Sequence, residues 1–307
     1  MVPSLAGLNC SAPLARDVRR ELGCLSVARD LFALTKPRVT LLVAATAAAG
    51  MWLATRMQPM GPSLLALAGI AGVVGAANAL NCWLERDVDC LMERTRQRPL
   101  AAGRLDSDLG LAFGLILGSA SVMVLAVWVN VLSAVLAFAA LVTYVWVYTP
   151  LKRRSAAALF VGAVPGAVPP LLGWTAATNQ VDAPAILLFA ILYWWQLPHF
   201  LSIGLVYRED YARAGFRTLP VVWGDAAARR CAAIAGAALI PASVGFVIVT
   251  GLGELAFVAS GLLGSALFAV TLCCLVSRAK ERSARALLVA SLAYLPLLII
   301  AFAVGVS

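Results

Sequence analysis

Nine mostly apolar runs, each long enough to cross a membrane, restrict the fold of this chain more than any other feature of its sequence. A transmembrane helix needs about 20 such residues. Of the 307 residues, 62% are hydrophobic and only 13% are charged, which excludes a soluble globular domain. The sequence therefore predicts an all-α, polytopic membrane helical bundle with about nine transmembrane helices. The runs cover residues 39–55, 64–84, 108–129, 132–149, 157–176, 184–205, 231–250, 255–276 and 286–305.

The positive charges lie almost entirely on one side of these runs. Alternate connections hold 23 of the 24 lysines and arginines, and only Arg56 lies on the other side. The positive-inside rule then places the N-terminus in the cytoplasm and the C-terminus outside. Topology thus explains the net charge of +9 without a nucleic-acid partner. We expect a multi-pass protein of the cell inner membrane.

The acidic residues follow the same side, which the positive-inside rule does not require. Thirteen of the fifteen lie in the predicted cytoplasmic connections, the exceptions being Asp182 and Glu254. The outer connections are short, so we expect the functional site at the cytoplasmic face. Residues 1–30 are predicted to be a loosely ordered cytoplasmic leader, and residues 31–307 a single transmembrane domain.

Three prolines, Pro165, Pro169 and Pro170, fall within the fifth run. Proline removes a helical hydrogen-bond donor and clashes with the preceding turn, so we expect this helix to be kinked or locally unwound. At membrane depth such backbone is tolerated only where it is buried in protein or lines a cavity. The pattern leaves a purely structural kink and a substrate-lining role open.

One amide and two carboxylates form a polar row at the cytoplasmic end of the second run. Asn81, Glu85 and Asp89 are spaced four residues apart, which places them along one face of a helix. Mg²⁺ prefers oxygen ligands and commonly uses one or two carboxylates together with substrate phosphates. Arg94 and Arg98 follow closely, and guanidinium groups bind phosphate bidentately. The row predicts a Mg²⁺ and diphosphate site, the alternative being a wet loop whose charges neutralise one another.

Two other inner connections carry candidate residues. Arg208 and Asp210 follow the sixth run, and a carboxylate there predicts a second Mg²⁺ that neutralises a departing diphosphate. Tyr148, Lys152 and Arg153 follow the fourth run, where an interfacial aromatic and topological charges are the competing interpretation. Among these three, Lys152 is the preferred functional residue.

The single histidine, His199, lies inside the sixth run near its predicted cytoplasmic end. Ionisable residues within membrane segments commonly have a function, and histidine serves as a metal ligand or as an acid or base. The alternative is an imidazole that only forms hydrogen bonds within the bundle, and the sequence does not choose between them.

Six segments together resemble the intramembrane, UbiA-type prenyltransferase superfamily, and within it the heme O synthase (protoheme IX farnesyltransferase) branch. Two positions depart from the superfamily's pattern: Glu85 stands where aspartate is usual, and Ala214 stands where a second aspartate is usual. The second departure puts the coordination of a second metal in doubt. The segments are "LTKPRVTLLV" (34–43), "NCWLERDVDCLMERTRQRPL" (81–100), "YTPLKRR" (148–154), "GAVPGAVPPLLGW" (162–174), "LPHF" (197–200) and "YREDYARAGFRTLPVV" (207–222).

The resemblance implies transfer of the farnesyl group of farnesyl diphosphate to a vinyl group of protoheme IX, with hydration, giving heme O and diphosphate. It implies Mg²⁺ as cofactor, the lipid bilayer as environment, and a downstream heme A synthase or terminal oxidase assembly as partner. The implied catalytic residues are Asn81, Glu85, Asp89, Asp210 and Lys152, of which all but Lys152 are implied metal ligands. The implied substrate-binding residues are Lys36, Arg38, Arg94, Arg98, Tyr148, Arg153, His199 and Arg208.

Two other functions remain open on the sequence. One is a prenyltransferase that acts on a different acceptor, such as a quinone precursor. The other is a cation-coupled transporter, although transporters place their sites near the bilayer midplane, whereas the carboxylates here cluster at one edge of the runs.

Overall fold

A computed structural model describes residues 24–57 and 64–305, and every regular element in these ranges is helical. The helices are α1 (Cys24–Leu34), α2 (Pro37–Met57), α3 (Leu64–Asp89), α4 (Ser107–Trp128), α5 (Val131–Val142), α6 (Thr149–Leu151), α7 (Ala158–Thr178), α8 (Ala183–Val206), α9 (Arg208–Arg213), α10 (Leu219–Val222), α11 (Gly224–Thr250), α12 (Glu254–Val276) and α13 (Lys280–Gly305). A π-helical segment, Thr143–Tyr148, joins α5 to α6.

Nine helices within the described residues are long and apolar enough to span a membrane, which confirms the predicted bundle. The fourth span, Val131–Leu151, consists of α5, the π-helical segment and α6. Helix α3 continues past the end of its apolar run to Asp89, so the polar row predicted on one helix does lie on a single helix.

Part of the expected leader is helical where the structure describes it. Residues 24–30 belong to α1, and residues 1–23 lie outside the described part of the chain. At the other end of α1, Leu34 is fully buried and packs with Ala79, Cys82 and Leu100. This contact fixes the position of the turn between α1 and α2, where Lys36 lies.

The helices pack side by side around apolar interior clusters. Helix α3 lies against α4 and α2 against α7, while α11 packs between α8 and α12, and α13 contacts both α8 and α12. Trp174 of α7, Phe246 of α11 and Phe302 of α13 are buried together where these helices meet. The outward faces expose large apolar side chains such as Leu41 and Trp128, as expected for helices that contact lipid.

Helix α7 is an uninterrupted helix from Ala158 to Thr178 despite its three internal prolines. Of the two expected outcomes, local unwinding does not occur, and a kink stays a prediction. The helix is the most buried of the nine spans, with 72% of its most apolar window inside the protein. Packing from neighbouring helices compensates for the hydrogen bonds that proline removes.

Glycines let α2 and α7 approach closely. A Cβ atom on Gly173 would overlap the backbone oxygen of Ala47, and one on Gly50 would overlap the backbone oxygen of Pro170. Small residues at such crossings allow the backbones of membrane helices to come into contact. The α2–α7 pair in turn holds the start of α2, and with it Lys36, beside α3.

Replacing Gly173 with alanine is expected to destabilise the bundle by about 1–3 kcal/mol, because the new methyl group overlaps backbone that cannot rotate away. Gly261 is the matched control: it lies in α12, and a Cβ built there has no atom within 4 Å. Alanine at that position is expected to be neutral or stabilising by up to about 1 kcal/mol. Thermal unfolding of both variants in one detergent measures the difference, and equal melting temperatures would contradict the packing argument.

Candidate active site

A cavity of about 560 Å³ brings together eight of the residues that the sequence singles out. Helices α2, α3, α7 and α8 form its walls, together with the π-helical segment and the connections that follow α3 and α9. The cavity therefore extends from the ends of the spans into the predicted cytoplasmic connections. The eight residues are Lys36, Asn81, Glu85, Asp89, Arg94, Arg98, Tyr148 and Lys152.

The amide of Asn81 is held in one orientation by three neighbours. Its nitrogen donates to Glu85 Oε2 at 2.9 Å and to Thr149 Oγ1 at 3.2 Å, while its oxygen accepts from Lys36 Nζ at 3.1 Å. Lys36 reaches this oxygen from the turn between α1 and α2, where its φ of 50° lies in the left-handed region that residues other than glycine rarely adopt. Strained backbone of this kind clusters at functional sites.

Each of the two carboxylates that line the cavity has a basic partner. Lys152 Nζ lies 2.5 Å from Glu85 Oε1, and Arg98 Nη1 bonds to the two oxygens of Asp89 at 2.8 and 2.7 Å. Glu85 and Asp89 are only 4% and 2% exposed. Buried charges are stable only when they are paired, so these contacts are what allows a double-carboxylate row to form at the membrane edge.

The basic side chains respond to this burial in two ways. Burial alone would lower the pKa of Lys152 and of Arg98, but the carboxylates of Glu85 and Asp89 outweigh it and raise both pKa values above their ordinary range. Lys36, which faces an amide rather than a carboxylate, has its pKa lowered, chiefly by burial. Lys152 and Arg98 therefore remain charged at neutral pH.

The cavity lining holds three more cations than carboxylates. The carboxylates are Glu85 and Asp89, and the cations are Lys36, Arg94, Arg98, Lys152 and Arg217. An apolar surround strengthens the field of such a surplus. The site is therefore suited to an anionic ligand that carries several charges.

Two tyrosines form an aromatic wall next to Lys152. Both Tyr144 and Tyr148 lie in the π-helical segment, with their ring centroids 5.3 Å apart, and both line the cavity. The ammonium of Lys152 lies 4.8 Å from the centre of the Tyr148 ring. Gly162 leaves room for that ring, since a Cβ atom would overlap it. Single π-helical turns often mark functional sites, and this one turns two aromatic faces toward the same space.

Three polar cavity residues deeper in the membrane segments were not predicted from the sequence, namely Asn78, Tyr144 and Gln196. Gln196 is 4% exposed and donates to Ala163 O at 2.7 Å, in space that Gly166 leaves free. Asn78 donates to Thr35 O at 3.2 Å. A signal existed for Asn78, which precedes Asn81 by three residues on the same helix face, and for Gln196, an amide within an apolar run.

Three charged residues expected at the site lie outside the cavity lining, each beside another charge. Arg153 forms a pair with Asp87, with nitrogen to oxygen distances of 3.1 and 2.8 Å. Arg208 pairs with Asp225 at 3.1 Å, and Asp210 with Arg213 at 3.4 Å. These side chains were expected to lie beside the polar row of α3, but the structure does not place them there. Each instead pairs with a nearer opposite charge in the connections.

His199 and Arg38 also lie outside the cavity lining. His199 Nδ1 is 3.0 Å from Ser291 Oγ on α13, and the ring stacks on Trp195 with centroids 5.2 Å apart. It therefore faces α13, although its neighbour Phe200 does line the cavity. Arg38 is exposed on the first turn of α2, two residues after Lys36.

The donor atoms in the cavity fit one hard divalent cation. Glu85, Asp89 and Asn81 offer oxygen atoms on one helix face, and Mg²⁺ usually completes such a set with substrate phosphate oxygens. A site built from three or more His, Cys, Asp or Glu side chains does not occur among residues 24–57 and 64–305. Asp210, the predicted ligand of a second ion, does not line the cavity and lies 3.4 Å from Arg213.

Comparison with known sequences gives matches over most of the chain. The profile of the "UbiA prenyltransferase family" matches residues 43–299. The chain is 47% identical over 289 residues to a protoheme IX farnesyltransferase of Anaeromyxobacter sp. (strain Fw109-5), a match that covers 94% of this chain and 97% of the relative. It is also 47% identical over 279 residues to a protoheme IX farnesyltransferase of Sorangium cellulosum (strain So ce56), covering 86% and 100% of the two chains.

Comparison of the fold leads to similar proteins. The structure of a digeranylgeranylglyceryl phosphate synthase has a TM-score of 0.78 at 14% sequence identity, over 91% of this chain and 98% of that one. A UbiA homolog from Archaeoglobus fulgidus bound to GPP and Mg²⁺ has a TM-score of 0.58 at 16% identity, over 89% and 99% of the two chains. At 14% and 16% sequence identity, these matches show a shared fold and nothing further.

Proposed function

The chain belongs to the UbiA prenyltransferase family, and we propose on that premise that it transfers the farnesyl group of farnesyl diphosphate to a vinyl group of protoheme IX, with hydration, giving heme O and diphosphate. The relatives named protoheme IX farnesyltransferase, at up to 48% identity, support this acceptor and this donor. The protein is thus an enzyme that works within the membrane on two amphipathic substrates.

One observation carries the proposal: the cavity combines a surplus of cations with aromatic and apolar walls. A prenyl diphosphate has the complementary division into a polyanionic head and an apolar tail. Lys36, Lys152 and Arg98 lie at the polar end, whereas Tyr148 and Phe200 belong to the walls. A transporter site at the bilayer midplane would not need this division at the membrane edge.

Mg²⁺ is the metal we propose for this site, with Glu85, Asp89 and the oxygen of Asn81 as its protein ligands. The family's fold includes a structure solved with GPP and Mg²⁺. When bound, the metal supplies Lewis-acid stabilisation of the charge that develops on the diphosphate. In this structure the nitrogen of Asn81 faces Glu85 and Thr149, and its oxygen accepts from Lys36, so coordination through that oxygen takes the place of the bond to Lys36.

The chain's own residues then act on the two fragments of the prenyl donor. Lys152, Arg98 and Arg94 stabilise the departing diphosphate, because fixed cations in a dry site are worth far more than in water. The faces of Tyr144 and Tyr148 lie beside this position and stabilise the allylic cation that remains. The apolar walls keep water from that cation until it has reached the acceptor.

The decisive experiment incubates the purified protein with Mg²⁺, farnesyl diphosphate and heme, and identifies products by mass. Heme O is the expected product. Product with an aromatic acceptor but none with heme would overturn the heme assignment, and no prenylated product with either acceptor would overturn the proposed activity.

We further propose that the site faces the cytoplasm of a cell whose inner membrane holds the protein, and that the product passes to a heme A synthase or to terminal oxidase assembly. The one-sided distribution of lysine and arginine supports this orientation. The same product assay tests it when farnesyl diphosphate is supplied outside sealed vesicles: inside-out vesicles should form product and right-side-out vesicles should not.

A further inference from the structure

The single histidine of the chain, His199, has no part in the steps proposed above. It lies on α8 at the edge of the cavity and does not belong to its lining. Gln196, three positions before it, and Ile203, four positions after it, both line the cavity. Side chains three and four positions apart share one face of a helix. The imidazole therefore lies between the cavity lining and α13.

The hydrogen bonds of Ser291 on α13 determine which ring nitrogen of His199 carries the proton. The hydroxyl of Ser291 donates its one hydrogen to Leu288 O at 2.7 Å. Its oxygen can therefore only accept from His199 Nδ1, which lies 3.0 Å away. Nδ1 thus carries the hydrogen, and Nε2 presents a lone pair. Among the residues that the structure describes, none forms a hydrogen bond to Nε2.

The ring of His199 is held in the way that metal-binding histidines are held. Such histidines donate their other ring N–H to a fixed acceptor, which sets the tautomer and the orientation of the ring. Ser291 is 0% exposed and supplies this acceptor. Trp195 stacks on the imidazole with 13° between the two planes, and its indole N–H donates to Ser291 O at 2.6 Å. Nε2 is thus preorganised to bind a metal.

The surroundings of His199 fit a metal that brings its other ligands with it. Among residues 24–57 and 64–305, no group of three or more His, Cys, Asp or Glu side chains could hold an ion. A porphyrin supplies its iron with four nitrogens and leaves the axial positions to the protein, where histidine is a common ligand. Phe200 and Leu292, the neighbours of His199 and Ser291 in sequence, are 43% and 52% exposed. They offer apolar surface to a flat macrocycle.

We propose that His199 Nε2 binds the iron of the heme acceptor as an axial ligand, and that this bond holds the porphyrin at the α8 edge of the cavity with a vinyl group directed inward. The identity of the ligand as a heme rests on the proposed function. Phe200 is exposed and also lines the cavity, so this edge is apolar and accessible. His199 takes no part in the transfer itself. It positions the acceptor and selects a porphyrin that contains iron.

The bond to iron is tested by spectroscopy on the full-length protein in detergent. The protein is purified without a polyhistidine tag, so that His199 is its only histidine, and is labelled with ¹⁵N-histidine. After addition of ferric heme, pulsed electron paramagnetic resonance should detect one ¹⁵N nucleus bound to the iron. A bound heme whose iron has no histidine nitrogen would overturn the proposal, and so would absence of heme binding.

Heme and metal-free protoporphyrin IX, which carries the same vinyl groups, separate ligation from packing. Ser291→Ala should weaken heme binding by about tenfold or more, the usual effect of losing the group that orients a metal ligand. His199→Ala should weaken it at least as much, and added imidazole should restore part of the loss by occupying the vacated axial position. Protoporphyrin IX should bind the wild type and both variants equally, because it has no iron to ligate.

Ser260→Ala is the matched control for Ser291→Ala. Ser260 is also 0% exposed, and its hydroxyl donates to Ala256 O at 2.7 Å within α12. This variant should keep the wild-type affinity for heme. Unchanged heme affinity in His199→Ala, or an equal loss for heme and protoporphyrin IX, would overturn the proposal.

These titrations need no prenyl donor, so they are independent of the product assay. Heme bound through His199 without formation of heme O would overturn the proposed function alone. Heme O formed by a protein whose bound iron lacks a histidine ligand would overturn the role of His199 alone.

Discussion

Replacing Asp89 with asparagine is expected to lower kcat/KM for prenyl transfer by about 10²–10³-fold, the usual loss when one preorganised electrostatic contact to the reacting group is removed. Asp89 is one of two carboxylates in the cavity lining and is 2% exposed. The change keeps the size of the side chain but removes its negative charge. It weakens the metal site and also releases Arg98, which Asp89 otherwise holds through two hydrogen bonds.

Asp87→Asn is the matched control on the same helix. Asp87 has a side chain that is 64% exposed and pairs with Arg153 outside the cavity. An exposed ion pair contributes at most about 1 kcal/mol, so this variant should stay within about fivefold of the wild-type kcat/KM. Melting temperature in detergent separates lost catalysis from lost folding. Wild-type turnover in a folded Asp89→Asn variant would refute the metal-site assignment.

The bundle was predictable because hydrophobic length alone identifies transmembrane helices. The nine predicted runs correspond to nine spans among the described residues, and the polar row follows the helical period of α3. Local spacing is a property of one element, and the sequence contains it completely. The same reasoning did not exclude local unwinding of α7, which the structure does not show, because the consequence of its prolines depends on the helices packed around it.

Contacts between distant elements were not predictable in this way. Lys36 forms a hydrogen bond to Asn81, 45 positions away in the sequence. Its backbone is in the left-handed region, which lysine rarely adopts, so the residue type does not indicate this conformation. Tyr144 enters the cavity because a π-helical segment changes the period of its helix just before Tyr148. A single sequence carries no signal for such a change in helical period.

The charged connections show a related limit. The positive-inside rule depends on the side of the membrane on which an arginine lies and not on the direction of its side chain. The sequence therefore did not distinguish arginines that line the cavity from arginines that form ion pairs outside it. Arg98 turns to Asp89, nine positions away, whereas Arg208 turns to Asp225, seventeen positions away. Each arginine pairs with the carboxylate that the fold brings nearest to it. For Arg208 this depends on how α9 and α10 pack beneath α8.

Lys152 and Arg153 are adjacent in sequence and differ sharply in their surroundings, which makes them a matched pair for the second large effect. Lys152 lines the cavity, pairs with the buried Glu85 at 2.5 Å and lies against the Tyr148 ring. Arg153 pairs with the exposed Asp87 at 2.8 Å. Topology and composition treat the two cations as equivalent, so only the position in the cavity separates their expected effects.

Lys152→Met is expected to lower kcat/KM by about 10²–10³-fold, because it removes a fixed cation beside the departing diphosphate and leaves Glu85 buried without its partner. Arg153→Met should remain within about fivefold of the wild type, since it loses a partly exposed ion pair and a hydrogen bond to the backbone oxygen of Leu84, both outside the cavity. Steady-state kinetics with farnesyl diphosphate and heme compare the two. Lys152→Met combined with Glu85→Gln removes the unpaired carboxylate, so this double variant should regain thermal stability without regaining activity. Equal activity in Lys152→Met and Arg153→Met, both folded, would mean that the cavity in this structure is not where the diphosphate departs.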